Sequence, residues 1–339
     1  MTHLKIVSFT PGGDALSLRL RKTLPGMLLQ RYARSTDPSL RHTELRRFTQ
    51  QAMFDCDGLV FIGAAGIAVR SVAPFLRGKA EDPAVVVVDE QGKYVIPLLS
   101  GHLGGANALA VQIAAAMHAT PVLTTATDVN GLFAVDTWAK AHGFEVCETD
   151  LIRYVSSALL RGETVGLRSD FPVCTPLPQG VALQAEGGAG IVLSVRNGDE
   201  PFTHTLHLVP RAVWAGIGCR KGVASGTLEQ VLLEVLEREH VPLSALCGLA
   251  TIDIKAEEPG LRALAAKYRL PIRVFSAGEL QSAEGTFTPS AFVRQTVGVD
   301  NVCERAAVCA SEGTLLCSKA AANGVTVALA AEKREVHFS

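Results

Sequence analysis

Short apolar runs alternate with helix-patterned segments over the first 130 residues, and this alternation restricts the fold more than any other feature of the sequence. Strands separated by helices form mostly parallel sheets covered by helices, so the pattern predicts an α/β sandwich. The runs 84–89 and 94–99 are separated by only four residues, too few for a crossover, and predict an antiparallel hairpin. Because the loop 77–83 gives the chain room to turn back, we expect 84–89 to be the antiparallel strand and 94–99 to run parallel to 58–62.

Regularity and charge divide the chain into three predicted domains: a mostly parallel-sheet sandwich over 1–130, a small irregular module over 131–209, and a second α/β domain over 210–339. The middle region is rich in proline and glycine turns and carries more acidic than basic residues. In the last region, strand and helix patterns alternate again from Val213 onward.

The composition excludes several classes of protein. A hydrophobic content of 48% is too high for a disordered chain, and a net charge of −1 gives no support for nucleic-acid binding. No apolar run is long enough for a membrane span. The eight cysteines are scattered without metal-ligand spacing, so we expect reduced thiols in a cytoplasmic protein and no metal site. The sequence also has no Walker A, G-x-S-x-G or His-Glu-x-x-His motif, which disfavours a kinase, an ordinary serine hydrolase and a zinc hydrolase.

The most informative motif is 100–107, which follows a predicted strand and opens a predicted helix. Its glycines, Gly104 and Gly105 among them, allow backbone N–H groups to approach an anion at a helix N-terminus. Histidine is the side chain that ordinarily changes charge near neutral pH, so His102 suits acid or base catalysis. Ser100 and Asn107 add polar groups. The alternative is a tight turn in which His102 caps the helix or lies in solvent.

Two further junctions of the first domain carry candidate residues. Gly63 and Gly66 open a helix that also carries Arg70, which favours either an anionic ligand or simple helix–sheet packing with a surface arginine. Thr125 and Asp128 follow another strand, where hydroxyls and a carboxylate suit either a polar site or a helix cap.

The last domain offers two more groups. Arg220 and Lys221 form a basic pair at a glycine turn, which fits an anionic ligand although the glycine spacing is not that of a dinucleotide fingerprint. Asp253 and Lys255 are two residues apart on a predicted strand and so share one face, where an ion pair is the plainer interpretation.

Four stretches resemble the CbiG family of cobalamin biosynthesis. Residues 58–131 are similar to its N-terminal domain. The segments 214–222 (WAGIGCRKG), 250–261 (ATIDIKAEEPGL) and 289–304 (PSAFVRQTVGVDNVCE) are similar to the C-terminal domain shared by CbiG and CobE. Ala291 and Gln295 stand where the family pattern has Glu and Lys, so those two positions carry no essential charge here.

The resemblance implies a cobalt-precorrin-5A hydrolase of oxygen-independent cobalamin biosynthesis. Water opens the ring A δ-lactone of a cobalt-containing tetrapyrrole, acetaldehyde leaves, and cobalt-precorrin-5B forms. The alternative is a non-catalytic carrier of tetrapyrrole intermediates. No cofactor of its own is implied, since the cobalt belongs to the substrate and the conjugated macrocycle accepts electrons. The implied partner is an anionic tetrapyrrole, with a homo-oligomer or transient contacts to other pathway enzymes left open.

With that substrate, His102 is predicted as general base, Asp128 as its orienting group or as the base itself, and backbone N–H groups near 104–106 as oxyanion donors. We expect the N-terminal loops 11–14, 63–66, 100–107 and 125–128 to lie on one edge of the sheet, facing 218–221. The residues predicted to bind substrate are Gly63, Gly66, Arg70, Ser100, Gly104, Gly105, Asn107, Thr125, Arg220, Lys221, Asp253 and Lys255.

Overall fold

The computed structural model describes residues 3–24, 28–33, 38–78, 81–101, 104–124 and 130–338 of the 339-residue chain. The chain forms two compact units, Met1–Trp138 and Ala139–Ser339, here called the N-terminal and C-terminal units. Both combine helices with parallel-rich sheets, so the predicted α/β class is confirmed. Among the described residues, no helix is both long and apolar enough to cross a membrane.

The N-terminal unit is built on a six-stranded sheet in the order β2-β1-β3-β4-β5-β6. Its strands are β1 (His3–Ser8), β2 (Leu28–Ala33), β3 (Gly58–Ile62), β4 (Ala84–Val88), β5 (Tyr94–Leu99) and β6 (Thr120–Pro121). The helices are α1 (Pro11–Thr23), α2 (Pro38–Asp55), α3 (Ala65–Val72) and α4 (Ala106–Met117), and α5 (Val135–Ala141) spans the boundary between the two units.

The two central strands are buried on both faces, which explains their nearly continuous apolar sequences. Val60 and Val86 pack with α1 and α4, among others through Leu20 and Ile113. The alternate residues of the same strands pack with α2 and α3 on the other face. The period of two in the strands therefore divides the apolar residues between two helical layers.

The strand directions correct one prediction. β3 and β4 are parallel, with Ile62 paired with Val88, whereas β5 runs antiparallel to β4, with Val85 paired with Leu99. The hairpin is confirmed, but 84–89 is the parallel strand and 94–99 the antiparallel one. The physical reason is the connection through α3: a strand–helix–strand crossover brings the chain back to the starting edge, so the next strand runs in the same direction.

The first part of the C-terminal unit has more regular structure than its weak patterning indicates. It holds a five-stranded sheet in the order β7-β11-β10-β8-β9, parallel except for β7. The strands are β7 (Phe144–Val146), β8 (Val165–Ser169), β9 (Val181–Leu183), β10 (Gly187–Leu193) and β11 (Phe202–Pro210), with α6 (Ile152–Leu160) packed on the sheet.

The second sheet of this unit has the order β14-β13-β12-β16-β15. Its strands are β12 (Val213–Cys219), β13 (Leu246–Ile252), β14 (Ile272–Phe275), β15 (Thr314–Ala322) and β16 (Val325–Ala331). β12, β13 and β14 are parallel, and β16 is antiparallel to both of its neighbours. The helices are α7 (Ser225–Arg238), α8 (Pro259–Tyr268), α9 (Ala277–Ser282), α10 (Ala291–Val297) and α11 (Cys303–Ser311). The predicted strands at 213–217 and 272–275 and the helices near 226–240 and 259–268 are confirmed.

Candidate functional site

Backbone hydrogen bonds hold the described residues of the loop between β5 and α4, here called the 100–105 loop. Ser100 has φ 56° and Gly105 has φ 83°, both in the left-handed region. The Ser100 carbonyl accepts the Ala106 N–H at 3.0 Å, and the Gly101 carbonyl accepts the Asn107 N–H at 2.9 Å. Gly104 packs against Ser100 so closely that a Cβ there would be 2.2 Å from the Ser100 Cβ. These contacts hold the described residues of the loop, Ser100, Gly101, Gly104 and Gly105, in a close-packed arrangement at the start of α4.

This geometry reduces the number of backbone N–H groups that can act as oxyanion donors. The Ala106 N–H is already engaged by Ser100, so of the groups near 104–106 only those of Gly104 and Gly105 stay candidates. Asn107 is 9% exposed and lies close to Gly101, where a Cβ would come within 2.8 Å of its Oδ1. Asn107 therefore belongs to the packed base of the loop. His102 lies outside the described residues.

The second loop of this edge follows β6. Thr125 and Asp128 lie outside the described residues, but the approach to them is described. β6 pairs parallel with β5, Tyr94 with Thr120, and the Val122 N–H donates to the Val95 carbonyl at 2.8 Å. The carboxyl ends of β5 and β6 therefore point to the same edge of the sheet, as the prediction for His102 and Asp128 requires.

The other predicted N-terminal loops lie at the opposite edge. β3 is antiparallel to β5, so the loop with Gly63 and Gly66, which follows β3, lies at the edge of the sheet where β5 begins. The 100–105 loop lies at the edge where β5 ends. The same edge carries the first turn of α1, where Thr10 donates to Glu90 in the β4–β5 turn. A five-residue strand is about 16 Å long. The prediction of one edge for all four loops is therefore wrong, and Gly63, Gly66 and Arg70 cannot share a reacting centre with Ser100.

Arg70 is exposed on α3, and its guanidinium folds back over the start of that helix. A Cβ on Gly66 would be 3.6 Å from its nearer Nη. The small Gly66 leaves room for the guanidinium beside the helix N-terminus. Packing therefore accounts for the glycine, and Arg70 is an exposed surface charge, so neither residue requires a site shared with the 100–105 loop.

Polar residues of the C-terminal unit gather at the carboxyl edge of β12 and β13. Arg220 and Lys221 follow β12 and are exposed, and Arg220 donates its backbone N–H to Gly324 at 3.0 Å. Asp253 and Lys255 follow β13, but they lie in a short 3-10 turn (Asp253–Lys255) and not on a strand. The prediction that they share a strand face is wrong, because the chain leaves the sheet after Ile252.

Glu258 organises this edge. It is 7% exposed, accepts the Gly222 N–H at 2.5 Å, and pairs with the Lys255 Nζ at 3.0 Å. The Gly222 N–H and the Lys255 ammonium hold the pKa of the Glu258 carboxyl below its usual range. Lys255 is thus neutralised within the protein, and Arg220 and Lys221 are the better placed of the four residues to meet an external anion.

Sequence reasoning passed over the role of Glu258. The available signal was its place immediately before Pro259, where a helix begins and acidic residues are favoured. What the sequence does not show is that the turn at 218–222 brings its own N–H to the same carboxylate.

Comparison with known proteins gives matches over most of the chain. Three family models match: cobalamin synthesis G N-terminal at residues 47–128, the cobalamin biosynthesis central region at 133–210, and cobalamin synthesis G C-terminus at 213–330.

Two curated relatives are both named cobalt-precorrin-5A hydrolase. The protein of Salmonella typhimurium is 38% identical over 96% of this chain and 97% of its own length. That of Priestia megaterium is 33% identical over 80% of this chain and 78% of its own. The crystal structure of CobE, a protein from the cobalamin (vitamin B12) biosynthetic pathway, is 33% identical over 35% of this chain and 89% of its own, with a TM-score of 0.34.

Proposed function

The chain belongs to the CbiG family and is a hydrolase, and from that premise we propose that its substrate is cobalt-precorrin-5A. The observation that carries the proposal is the relative named for this activity, which is 38% identical over 96% of the chain. An identity spread over the whole length supports a shared substrate more strongly than a match to one domain.

The proposed reaction opens the δ-lactone on ring A with water, after which the extruded two-carbon fragment leaves as acetaldehyde and cobalt-precorrin-5B remains. The conjugated macrocycle takes up the electron pair released when the carbon–carbon bond breaks. The protein then has to bind the macrocycle, deliver a base and stabilise negative charge on oxygen. We propose that it does so without a catalytic cofactor of its own.

The 100–105 loop supports this chemistry in the N-terminal unit. We propose His102 as the general base that activates water or deprotonates the released hydroxyl, with Asp128 orienting it or acting as the base. The N–H groups of Gly104 and Gly105 stabilise the oxyanion. Gly104 packs closely on Ser100, and Ala106 and Asn107 donate to the carbonyls of Ser100 and Gly101, so the two glycine N–H groups need no rearrangement at the moment of reaction.

The C-terminal unit supports recognition of the substrate's carboxylates. Arg220 and Lys221 are exposed side by side at the carboxyl edge of its sheet, while Glu258 holds the turn below them through Gly222. We propose that both basic residues bind acetate or propionate groups of the tetrapyrrole. Two local basic side chains are enough to bind carboxylates, so the protein as a whole need not be basic, in keeping with its net charge of −1.

A single-turnover assay of His102→Ala with cobalt-precorrin-5A tests the catalytic assignment. Loss of a general base slows the chemical step by about 10²–10⁴-fold. The matched control is His118→Asn, because His118 is an exposed, left-handed residue at the end of α4, a conformation that asparagine tolerates. Acetaldehyde release at the wild-type rate by His102→Ala would remove His102 from the reaction while leaving the substrate assignment in place.

A further inference from the structure

Three side chains of metal-ligating type meet on the C-terminal unit. The ligand atoms of Cys174, Glu335 and His337 all lie within 4.8 Å of one another. Cys174 Sγ is 3.8 Å from His337 Nε2, which is 3.9 Å from Glu335 Oε2. We propose that this Cys174–Glu335–His337 cluster is a binding site for a zinc-class divalent cation.

The backbone holds the three residues together. Val173 and Val336 form a parallel β-bridge, in which the Cys174 N–H donates to the Val336 carbonyl at 2.8 Å and the Val336 N–H to the Pro172 carbonyl at 2.9 Å. Side chains alternate in extended chain, so Glu335 and His337 share the face opposite to Val336. Val336 is 2% exposed, which turns that shared face toward solvent.

The spacing matches zinc chemistry. With bonds of roughly 2.3 Å to sulfur and 2.0 Å to nitrogen, two ligands of a tetrahedral zinc lie roughly 3.5 Å apart. The observed sulfur–nitrogen separation of 3.8 Å is close to that value. A thiolate and an imidazole favour zinc over magnesium or calcium, which take oxygen ligands. Since His337 and Glu335 have more than half of their side chains exposed, water can fill the fourth position.

A cation here would fasten the segment after β16 to residues 172–174. In the described structure this attachment includes the two backbone hydrogen bonds, the contact between Cys174 Sγ and His337 Nε2, and the burial of Val336. The metal would add a crosslink between positions 163 residues apart. That separation also explains why the sequence predicts no metal site: no short spacing links Cys174 to the other two ligands.

The test is equilibrium dialysis and cobalt spectroscopy of the full chain, free of affinity tags and stripped of metal. We expect one Zn²⁺ per chain, and Co²⁺ in its place should give a thiolate-to-cobalt charge-transfer band. Cys174→Ser should abolish that band, and both Cys174→Ser and His337→Gln should weaken binding at least about 100-fold, because losing even an outer-shell partner costs about 10–100-fold. Cys309→Ser, a similarly part-buried cysteine, is the matched control.

A second readout follows the attachment itself. Zn²⁺ should protect the segment 332–338 of the wild-type chain from proteolysis, and it should give no protection in Cys174→Ser. Binding of Zn²⁺ by Cys174→Ser with wild-type affinity, or a cobalt spectrum without the thiolate band, would overturn the proposal, since either result places the metal on other residues. Neither measurement depends on the enzymatic substrate.

Discussion

Replacing Gly104 by alanine tests whether the 100–105 loop is the catalytic loop. The new methyl group would start 2.2 Å from the Ser100 Cβ and 2.8 Å from the Ser100 carbonyl oxygen, whereas ordinary contacts begin at 3.4 Å. The loop must therefore open by more than 1 Å. A misplacement of about 1 Å at a catalytic group costs about 100-fold in rate. We expect kcat/KM to fall by about that factor.

The assay is steady-state acetaldehyde production, with the melting temperature measured in parallel. Local overpacking costs about 1–3 kcal/mol, so the variant should stay folded. The matched control is Gly226→Ala near the start of α7, where no atom outside the helix's own backbone and the adjoining residues lies within 4 Å of the added Cβ and alanine favours the helix by up to about 1 kcal/mol. A folded Gly104→Ala protein with wild-type kcat/KM would refute a catalytic role for this loop.

Three further predictions concern stability and are measured by urea unfolding. Gly216→Ala should cost about 3 kcal/mol, the upper end of the range for overpacking, because its Cβ would lie 1.8 Å from the backbone oxygen of Cys303 in α11. A loss below about 1 kcal/mol would mean that α11 moves away easily. Asp55→Asn should cost about 3 kcal/mol, because the buried Lys5 ammonium, which lies 2.6 Å from the Asp55 carboxylate, loses its charged partner. Adding Lys5→Met should recover most of that loss, because it removes the unpaired charge. No loss in Asp55→Asn would show that the pair contributes little to stability. Burial raises the pKa of Cys56 from 9.0 to about 12, so the folded protein keeps a proton that the unfolded chain releases. Other partly buried cysteines, such as Cys147 and Cys247, act in the same direction, so the test is a difference between variants. Above pH 9 the stability of the wild-type chain should fall more steeply than that of Cys56→Ala, by up to about 1.4 kcal/mol per pH unit, and equal slopes would contradict this.

The alternation of apolar runs was sufficient to predict the α/β class and most strands and helices. Strands buried on both faces need nearly continuous apolar sequences, so they are easily recognised between helical segments. It was not sufficient to orient the hairpin. A short connection fixes only that 84–88 and 94–99 run in opposite directions. Which of them follows the sheet depends on the crossover through α3, and the crossover rule would have chosen 84–88. Loop length alone led to the wrong choice.

The candidate site was predictable one loop at a time and not as an assembly. The 100–105 loop was recognisable from its glycines, because the left-handed Gly105 and the close packing of Gly104 leave a local signature. That Gly63 lies on the other edge depends on strand direction, which is set by the crossover through α3 and not by the residues of either loop. The pairing of Lys255 with Glu258 likewise depends on the chain leaving β13 as a 3-10 turn.

The central proposal, that the chain hydrolyses cobalt-precorrin-5A, is tested most directly by counting acetaldehyde. The purified protein is mixed with a large excess of cobalt-precorrin-5A without oxygen, and acetaldehyde and cobalt-precorrin-5B are quantified over time. An enzyme releases many equivalents of acetaldehyde per chain, with cobalt-precorrin-5B in equal amount. Stoichiometric binding and protection of the substrate with no acetaldehyde above the protein-free control would contradict the proposal and identify the chain as a carrier.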